Sequence, residues 1–448
     1  MRLSTRAAFR LTTLAAANVV AAVMLAACSH NAGNLTPAVT SNGTTSHTIH
    51  LMTKKVYPVT LAAYPVSLGA FPVSLSAIPV CQPQSDNVTA QCKSAVRSSL
   101  GAIPANVDPT LLPGYGPSHL QTAYGLTGIS NSAGAGRTVA IVSAYASANL
   151  ESDIGVYRTE FGLPPCTVAG GCLTIVAPNG NGHAADAGWA AETSLDAEMV
   201  SAICPLCNIL VVQAKSAKIS DLANAVDTAA SYNPVAISNS YSTTEVGAVG
   251  YASHWVHPGI AITAGGGDGG YGVSFPASVP SVVAVGGVSL TQNADGSFAA
   301  PTVWSGTGSG CSAYFQKPTW QTDTGCLNRT VNDTAALADP NTGVIAYASQ
   351  NGGWNVYGGT SVASPIVASL YALAGATAGM TDGSGLYTAN GIGLMNQVLG
   401  SNGTCPVAYL CNGQSGYDGP DGNGMPYGLA AFQNTASTGT FTLSLIGS

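Results

Sequence analysis

The chain has 448 residues, of which 46% are apolar and 7% are charged, and its formal net charge is -7. This length supports one large domain or two ordinary ones, and the apolar content excludes a disordered chain. Binding to nucleic acid needs a basic face, so we expect no nucleic-acid partner for an acidic chain with few cations. Few ion pairs also leave little native stability for acid to remove, so the composition permits work at low pH.

The first 27 residues have the pattern of a bacterial export signal. Basic residues precede an apolar run over 14–24, which ends at Leu25-Ala26-Ala27-Cys28. This predicts a lipoprotein signal peptide over 1–27, with Cys28 lipidated and held in a membrane; an ordinary secretory signal is the alternative. We therefore expect an exported bacterial protein, either a lipoprotein of the cell envelope or a secreted one.

Residues 28–113 are predicted to form a Ser/Thr/Pro-rich tether with a seven-residue repeat. The repeat is seen in Tyr57-Pro58-Val59, Tyr64-Pro65-Val66 and Phe71-Pro72-Val73. Proline at every seventh position blocks a continuous helix, so extended segments are expected. The repeats are interpreted as a spacer; the alternative is a segment that covers the folded domain.

Ten cysteines remain when Cys28 is set apart, and they fall in close couples along the chain. An oxidising compartment favours disulfides, and pairing between nearest neighbours is the simplest connectivity, although spacing alone does not fix it. The couples are Cys81 and Cys92, Cys166 and Cys172, Cys204 and Cys207, Cys311 and Cys326, and Cys405 and Cys411.

From residue 114 onwards, short apolar strands alternate with helices. Strands are expected over 137–142, 208–213, 235–238, 260–264 and 282–285, and helices over 150–161, 192–204, 219–230 and 363–374. This alternation is typical of an α/β fold with a mainly parallel central sheet flanked by helices. We therefore assign residues 114–448 to one folded domain.

An acidic helix carries the first candidate site residues. Glu192 and Asp196 are four residues apart, so a helix places both carboxylates on one face. Two close carboxylates share a proton, which separates their pKa values, and one can act as a base while the other orients it. A solvated helix face is the alternative interpretation.

A glycine-rich turn before the last buried helix carries a candidate nucleophile, in Gly358-Gly359-Thr360-Ser361-Val362-Ala363-Ser364-Pro365. A serine just before a helix N-terminus meets free backbone N–H groups, and the glycines let a substrate approach closely. The alternative is a turn in which Thr360 or Ser361 merely caps the helix.

A third segment, Ala264-Gly265-Gly266-Gly267-Asp268-Gly269-Gly270-Tyr271, follows a predicted strand. Active sites form at the carboxyl ends of parallel strands, which makes Asp268 a candidate. The glycines also match a dinucleotide-binding pattern, but that pattern needs a helix directly afterwards, and Phe275-Pro276 follows instead.

Together and in this order, the three segments resemble the sedolisins, the serine-carboxyl peptidases, which have a subtilisin-like fold. The resemblance extends from about residue 117 to 432. It includes Phe161-Gly162-Leu163-Pro164, Ser238-Asn239-Ser240-Tyr241, Ser274-Phe275-Pro276-Ala277-Ser278 and Tyr357-Gly358-Gly359-Thr360-Ser361. It implies a serine-type endopeptidase that hydrolyses unfolded proteins or peptides at acidic pH.

The resemblance also implies a role for each candidate residue. Ser361 would be the nucleophile, Glu192 the general base and Asp196 the residue that orients Glu192. Asp268 would line the oxyanion hole, and Ser240-Tyr241-Ser242 would lie beside an extended substrate. Because Asp268 donates only when protonated and Glu192 accepts only when ionised, we expect a bell-shaped pH profile on the acid side of neutrality.

Calcium is the cofactor that the resemblance suggests, through two aspartates and backbone carbonyls near the C-terminus. Asp418 and Gly416 are candidate metal ligands, but Asn396 stands where the other aspartate is expected. The sequence also departs from the sedolisins, which carry a long folded prosegment, because residues 28–113 are repetitive and Pro-rich.

Other functions fit the sequence less well. His183, His254 and His257 lack the His-Gly-Thr context of a subtilisin triad. An esterase would be expected to have a Gly-x-Ser-x-Gly elbow, which is absent around Ser361. The main alternative is a non-catalytic envelope binding protein on a peptidase fold, which has no need of all four catalytic candidates. We expect the protein to be a monomer.

Overall fold

The computed structural model describes residues 77–97, 102–178, 184–375, 382–389, 392–395 and 399–433. The predicted signal peptide, Cys28, the three complete repeats, His183 and Asn396 lie outside the described residues. The lipid anchor and the spacer therefore stay predictions from the sequence.

The strands, in chain order, are β1 (Ala77–Pro79), β2 (Gln91–Cys92), β3 (Ala95–Arg97), β4 (Thr138–Ala144), β5 (Leu173–Val176), β6 (Asn208–Ala214), β7 (Ala236–Asn239), β8 (Tyr241–Ser242), β9 (Ala261–Gly265), β10 (Val283–Ser289), β11 (Thr302–Val303), β12 (Gly310–Gln316), β13 (Asn328–Val331), β14 (Thr334–Leu337), β15 (Val344–Ala348), β16 (Gly353–Gly358), β17 (Leu394–Met395) and β18 (Met425–Pro426). The α-helices are α1 (Pro117–Ala123), α2 (Leu150–Glu160), α3 (Ala187–Ile203), α4 (Ile219–Ser231), α5 (Glu245–Ala248), α6 (Thr360–Ala374), α7 (Ser384–Thr388) and α8 (Ala430–Gln433).

The central sheet has the strand order β11-β10-β9-β7-β4-β6-β5, and β14 also pairs with β10. Neighbouring strands are parallel except for the β10–β11 pair. Both faces are covered, because alternate residues of β4 enter different cores: Val139 and Ile141 one, Ala140 and Val142 the other. Burial on both faces explains the continuous apolar runs, and it confirms the predicted α/β class with a mainly parallel sheet.

Helices α3 and α6 pack against each other on the face of the sheet that bears the candidate site. Helix α3 begins five residues before Glu192, because the side chain of Asp186 accepts a hydrogen bond from the N–H of Trp189 and caps it. The sequence predicted that Ser361 lies just before this helix. Helix α6 instead begins at Thr360, so Ser361 lies inside its first turn.

A second, antiparallel sheet leads into α6. Its strand order is β1-β3-β16-β15, and β16 ends directly before Gly359. Residues 77–97, which belong to the predicted tether, supply two of its strands. We call residues 77–97 the N-terminal loop.

All five disulfides join nearest neighbours, which confirms the simplest pairing. The bond between Cys204 and Cys207 closes the turn after α3, as a structural loop would. None of the helices in the described residues combines the length and the apolar composition needed to cross a membrane.

Candidate active site

Helix α3 brings Glu192 and Asp196 into the protein interior. Both residues are buried, and both lie one helical turn apart on the same side of a helix that packs against α6. Glu192 Oε2 accepts a hydrogen bond from Ser94 Oγ, whereas Oε1 has no partner among the described residues. The solvated-face alternative is thereby excluded, and Glu192 keeps one oxygen able to take a proton.

The first turn of α6 presents Ser361. Its Oγ lies 3.2 Å from Ser240 O, to which it donates, and the hydroxyl is near enough to Glu192 to lower the pKa of that carboxyl. Gly359 has φ 103°, a conformation that other residues rarely adopt, and a Cβ there would overlap Lys93 O. This glycine, two residues before Ser361, therefore lets the backbone at Lys93 pass close to the nucleophile.

Asp268 is hydrogen-bonded to the first turn of α6. Its Oδ1 accepts from Thr360 N at 2.9 Å and from Thr360 Oγ1 at 2.8 Å. The other oxygen, Oδ2, points toward Gly359, since a Cβ on that glycine would lie 2.7 Å from it. One oxygen of Asp268 thus anchors its glycine-rich segment to the first turn of α6, while the second faces the space beside Ser361.

The segment Ser240-Tyr241-Ser242 contacts the first turn of α6 through Ser240. Pro365 lacks the N–H that would otherwise bond to the carbonyl of Ser361 in α6. That carbonyl accepts instead from Ser240 Oγ at 3.3 Å. Helix α6 and the predicted substrate strand are therefore joined directly at the nucleophile.

The N-terminal loop occupies the cleft beside Ser361, which no motif predicted. Strand β2 pairs antiparallel with β8, and Lys93 N donates to Ser240 O at 3.1 Å. Ser361 N donates to Lys93 O at 3.0 Å. The one signal in the sequence is the Cys81 and Cys92 couple, because a disulfide inside a predicted tether indicates a folded segment.

The three carboxyl groups of the site favour their protonated forms. Burial raises the pKa of Glu192, although the hydroxyls of Ser361 and Ser94 act against it. Burial, and then the charge of Glu192, raise the pKa of Asp196 well above its usual range. Burial raises the pKa of Asp268 to about 6, against the opposing charge of Lys93. A protonated Asp268 is able to donate a hydrogen bond, and the two α3 carboxyls are close enough for the charge of Glu192 to act on Asp196.

The predicted metal ligands do not form a metal site in the described residues. Asp418 is buried, and its two oxygens accept from the backbone N–H groups of Gln414 and Asp421. No group of three or more His, Cys, Asp or Glu side chains that could hold a metal lies among the residues described. Both oxygens of the Asp418 carboxyl are thus engaged by backbone donors.

His254 and His257 both pair with an aspartate on α4. Asp227 on α4 pairs with His254 Nδ1 at 2.6 Å and with His257 Nε2 at 3.1 Å. In the described part of the chain, the hydrogen bonds of Ser361 Oγ involve no histidine.

Comparison with known proteins finds two relatives of similar sequence. No family model matches the chain. It is 38% identical to sedolisin from Pseudomonas sp. (strain 101) over 114 residues, which is 23% of this chain and 19% of that protein. It is 29% identical to kumamolisin from Bacillus sp. (strain MN-32) over 280 residues, or 54% of this chain and 50% of that protein. The matches thus span half or less of the curated relatives.

A solved structure covers more of the fold. Pseudomonas sedolisin, a serine-carboxyl proteinase solved with two molecules of pseudo-iodotyrostatin, superposes with a TM-score of 0.60 at 25% identity. The match covers 70% of this chain and 95% of that chain, and it agrees with the predicted subtilisin-like fold. From these similarities, the chain is similar to the sedolisins in sequence over part of its length and in fold over most of the described residues.

Proposed function

We propose that this protein is a serine-carboxyl endopeptidase that hydrolyses unfolded protein or peptide substrates at acidic pH. One observation carries the proposal: a backbone carbonyl, that of Lys93, is held by Ser361 N at 3.0 Å beside the hydroxyl of Ser361 and the carboxyl of Glu192. The site therefore accepts an extended peptide with one carbonyl presented to a buried serine.

In this proposal, Glu192 activates Ser361. The Ser361 hydroxyl rotates away from Ser240 O and gives its proton to Glu192 Oε1, which is otherwise without a hydrogen-bond partner in the described residues. Asp196, one turn along α3, holds a proton and stabilises the charge changes on Glu192. A general base positioned in this way contributes roughly 10²–10⁴-fold to a proton transfer.

The oxyanion is held by two donors. The first is Ser361 N–H, at the positive end of the α6 dipole, which already donates to a carbonyl oxygen. The second is Asp268, whose pKa of about 6 keeps it protonated in acid. One such donor contributes roughly 10²–10³-fold to the rate.

Activity requires opposite protonation states of two carboxyl groups. Asp268 must be protonated, which sets the alkaline limit, and Glu192 must be ionised, which sets the acid limit. With the N-terminal loop in place, Glu192 is buried and favours its protonated form. Water enters the cleft when the loop leaves, and renewed solvation lowers the pKa of Glu192 toward the range of an ordinary carboxyl.

The second candidate function is a non-catalytic binding protein on a peptidase fold. It is favoured by the same cleft, which pairs with an extended chain along β8 and β16. It gives no reason for two buried carboxyls, Glu192 and Asp196, beside a serine, which is why we place it second.

We also propose that the protein works outside the cytoplasm. Five disulfides in the described residues are consistent with an oxidising compartment. Attachment through a lipidated Cys28 is tested by labelling growing cells with a palmitate analogue, in which Cys28→Ser should lose the label.

The deciding experiment measures hydrolysis of unfolded casein from pH 2 to 8. Wild-type protein is compared with Ser361→Ala and Glu192→Gln, each shown to be folded by circular dichroism. We expect acid activity in the wild type and its loss in both variants. Equal activity in the wild type and Ser361→Ala would refute the serine mechanism, and a folded wild type that is inactive but binds casein would favour the binding protein.

A further inference from the structure

A second cavity lies between residues 320–324, helix α7 and residues 409–423. Its volume is about 530 Å³, within the range of ~300–1,000 Å³ that is usual for small-molecule sites. It shares no lining residue with the cavity beside Asp268. It is therefore a separate site, which the proposed peptidase mechanism does not use.

Four aromatic rings line this cavity. The ring centroids of Trp320 and Tyr387 are 4.7 Å apart, those of Tyr387 and Tyr417 are 5.6 Å apart, and those of Tyr417 and Tyr409 are 6.2 Å apart. The rings thus form a continuous row. The other lining residues carry carboxyl, hydroxyl or amide groups, and none of those described is aliphatic. We call this space the aromatic cavity.

The hydroxyls of two of the tyrosines are used inside the protein. Tyr387 Oη donates to Asp333 Oδ1 at 3.0 Å, and Tyr417 Oη donates to Asn332 O at 3.0 Å. These hydrogen bonds fix the orientation of both rings. A ligand in the cavity would therefore meet ring surfaces that are already held in place.

Two disulfides hold the walls of the aromatic cavity. Trp320 and Asp323 lie within the loop closed by Cys311–Cys326, and Tyr409 lies within the loop closed by Cys405–Cys411. The two loops are joined, because Tyr409 Oη donates to Asp323 Oδ2 at 2.5 Å. Walls that are fixed before binding lose little conformational entropy when a ligand enters, and this favours affinity.

Asp323 supplies a buried polar atom without a partner. Its side chain is 6% exposed, and the residue lines the cavity. Its Oδ2 accepts from Tyr409 Oη, from Thr330 Oγ1 at 2.8 Å and from Lys317 Nζ at 2.8 Å. Its Oδ1 has no hydrogen-bond partner among the described residues. Because a buried acceptor without a donor costs free energy, a ligand with a hydroxyl at this point would be stabilised.

The charges beside the aromatic cavity are already balanced. Lys317 pairs with Asp323, and the buried Arg329 pairs with Asp333. The guanidinium of Arg329 also lies over the ring of Trp320, 5.3 Å from its centroid. The carboxyl and the ring that would attract a cationic ligand thus have cations of their own. This favours a neutral ligand.

We propose that the aromatic cavity binds a saccharide. A sugar ring has an apolar C–H face that packs flat on aromatic rings, and hydroxyls at its edge that donate to carboxyl and amide oxygens. It is neutral, and one of its hydroxyls would supply the donor that Asp323 Oδ1 lacks. The inference goes beyond the proposed function and does not depend on it, because binding here needs neither Glu192 nor Ser361.

Two sources would present the same chemistry to this cavity. One is a glycan attached to a protein, which would hold a glycosylated substrate on the proposed peptidase. The other is a polysaccharide of a cell surface, which would hold the protein at that surface. The proposal concerns the sugar ring that the two sources share, and the first test tells them apart.

The first test is a glycan microarray probed with the fluorescently labelled protein. The array carries protein-linked glycans and fragments of cell-surface polysaccharides, and the best ligand is then titrated by calorimetry. We expect saturable binding, and the class of glycan bound identifies the source. Absence of binding to every glycan, or no saturation up to about 10 mM of the best one, would refute the proposal.

The second test removes one ring. Trp320→Ala is compared with Tyr232→Ala, an aromatic residue that is 51% exposed at the end of α4 and does not line the cavity. We expect Trp320→Ala to weaken saccharide binding about tenfold or more, as the loss of an aromatic anchor does, and Tyr232→Ala to bind like wild type. Equal affinity in the two variants would refute the site.

A further pair of variants keeps the test open if Trp320→Ala does not fold. Thr388 is an exposed residue that lines the cavity, so Thr388→Arg places a long side chain there without removing a buried group. Thr388→Ser is the matched control. We expect Thr388→Arg to weaken saccharide binding about tenfold or more and Thr388→Ser to leave it unchanged. Unchanged binding in both would overturn the proposal.

Two more measurements separate the proposal from its rivals. Titration with tetramethylammonium tests a cation site, and saturable binding of this ion by a protein that binds no glycan would overturn the proposal. Hydrolysis of an unglycosylated peptide tests the peptidase, and Thr388→Arg should cleave it at the wild-type rate. A wild type that binds saccharide but cleaves no peptide would support the saccharide site and refute the proposed function.

Discussion

The alkaline limit of activity should be set by Asp268, and a neutral side chain at this position should remove it. Asp268 anchors Thr360 through Oδ1 and directs Oδ2 toward Gly359. Asparagine can keep the acceptor with one atom and donate with the other at any pH. We therefore expect Asp268→Asn to retain activity and to lose the decline at higher pH, and Asp268→Ala to lose the donor altogether.

The size of the effect follows from the pKa of about 6 that burial gives Asp268. With that value, about 91% of the side chain is protonated at pH 5 and about 9% at pH 7. Wild-type activity should therefore fall about tenfold between pH 5 and 7 through this group. Asp268→Ala should lose roughly 10²–10³-fold at all pH values, as expected for one missing oxyanion donor.

The assay is the steady-state rate on a quenched peptide between pH 3 and 8. Asp295→Asn, an exposed aspartate away from the cleft, serves as the control and should keep the wild-type profile. An Asp268→Asn profile that declines between pH 5 and 7 as steeply as the wild-type profile would refute the role of Asp268. The decline would then belong to another group.

Two further predictions concern stability. Burial raises the pKa of Glu198 well above its usual range, and Tyr347 N donates to it at 2.8 Å. The folded state therefore holds a proton on Glu198 that the unfolded state releases. The stability that this proton contributes is complete below the unfolded pKa of the carboxyl and is lost as pH rises through the folded pKa. We expect a higher melting temperature at pH 4 than at pH 7, with a smaller difference in Glu198→Gln than in the exposed control Glu160→Gln; equal differences would contradict the assignment. The buried pair of Arg329 and Asp333 should be costly to break: Asp333→Asn leaves the guanidinium uncompensated and should lower the free energy of unfolding by about 3–5 kcal/mol. Urea denaturation measures this change, and a loss under about 1 kcal/mol would show that water or another group compensates.

Much of the fold could be predicted from the sequence, because residues close together along the chain determine it. The strand over 138–144 is a continuous apolar run, as a strand buried on both faces requires. Helix α4 was predicted over 219–230 and is observed over Ile219–Ser231. The disulfides were predictable for the same reason, since each pair is separated by 15 residues or fewer. Local periodicity and spacing determine features of this kind.

The candidate site could be predicted only in part. The motifs around Glu192, Asp268 and Ser361 identified the residues through their resemblance to a family, but they did not determine which hydrogen bonds those residues make. The start of α3 was misplaced because its cap, Asp186, precedes the recognisable helical pattern. The position of Ser361 within the first turn of α6 likewise depends on packing against β7 and β9.

Only the tertiary structure revealed that the N-terminal loop fills the cleft. The hydrogen bond from Ser94 to Glu192 joins residues 98 positions apart, and no local pattern encodes such a contact. Strand pairing of this kind depends on register, and a shift of one residue would present a different peptide bond to Ser361. The sequence by itself determined the elements and the reactive side chains; the fold decided which peptide bond lies between them, because that depends on contacts made across the whole chain.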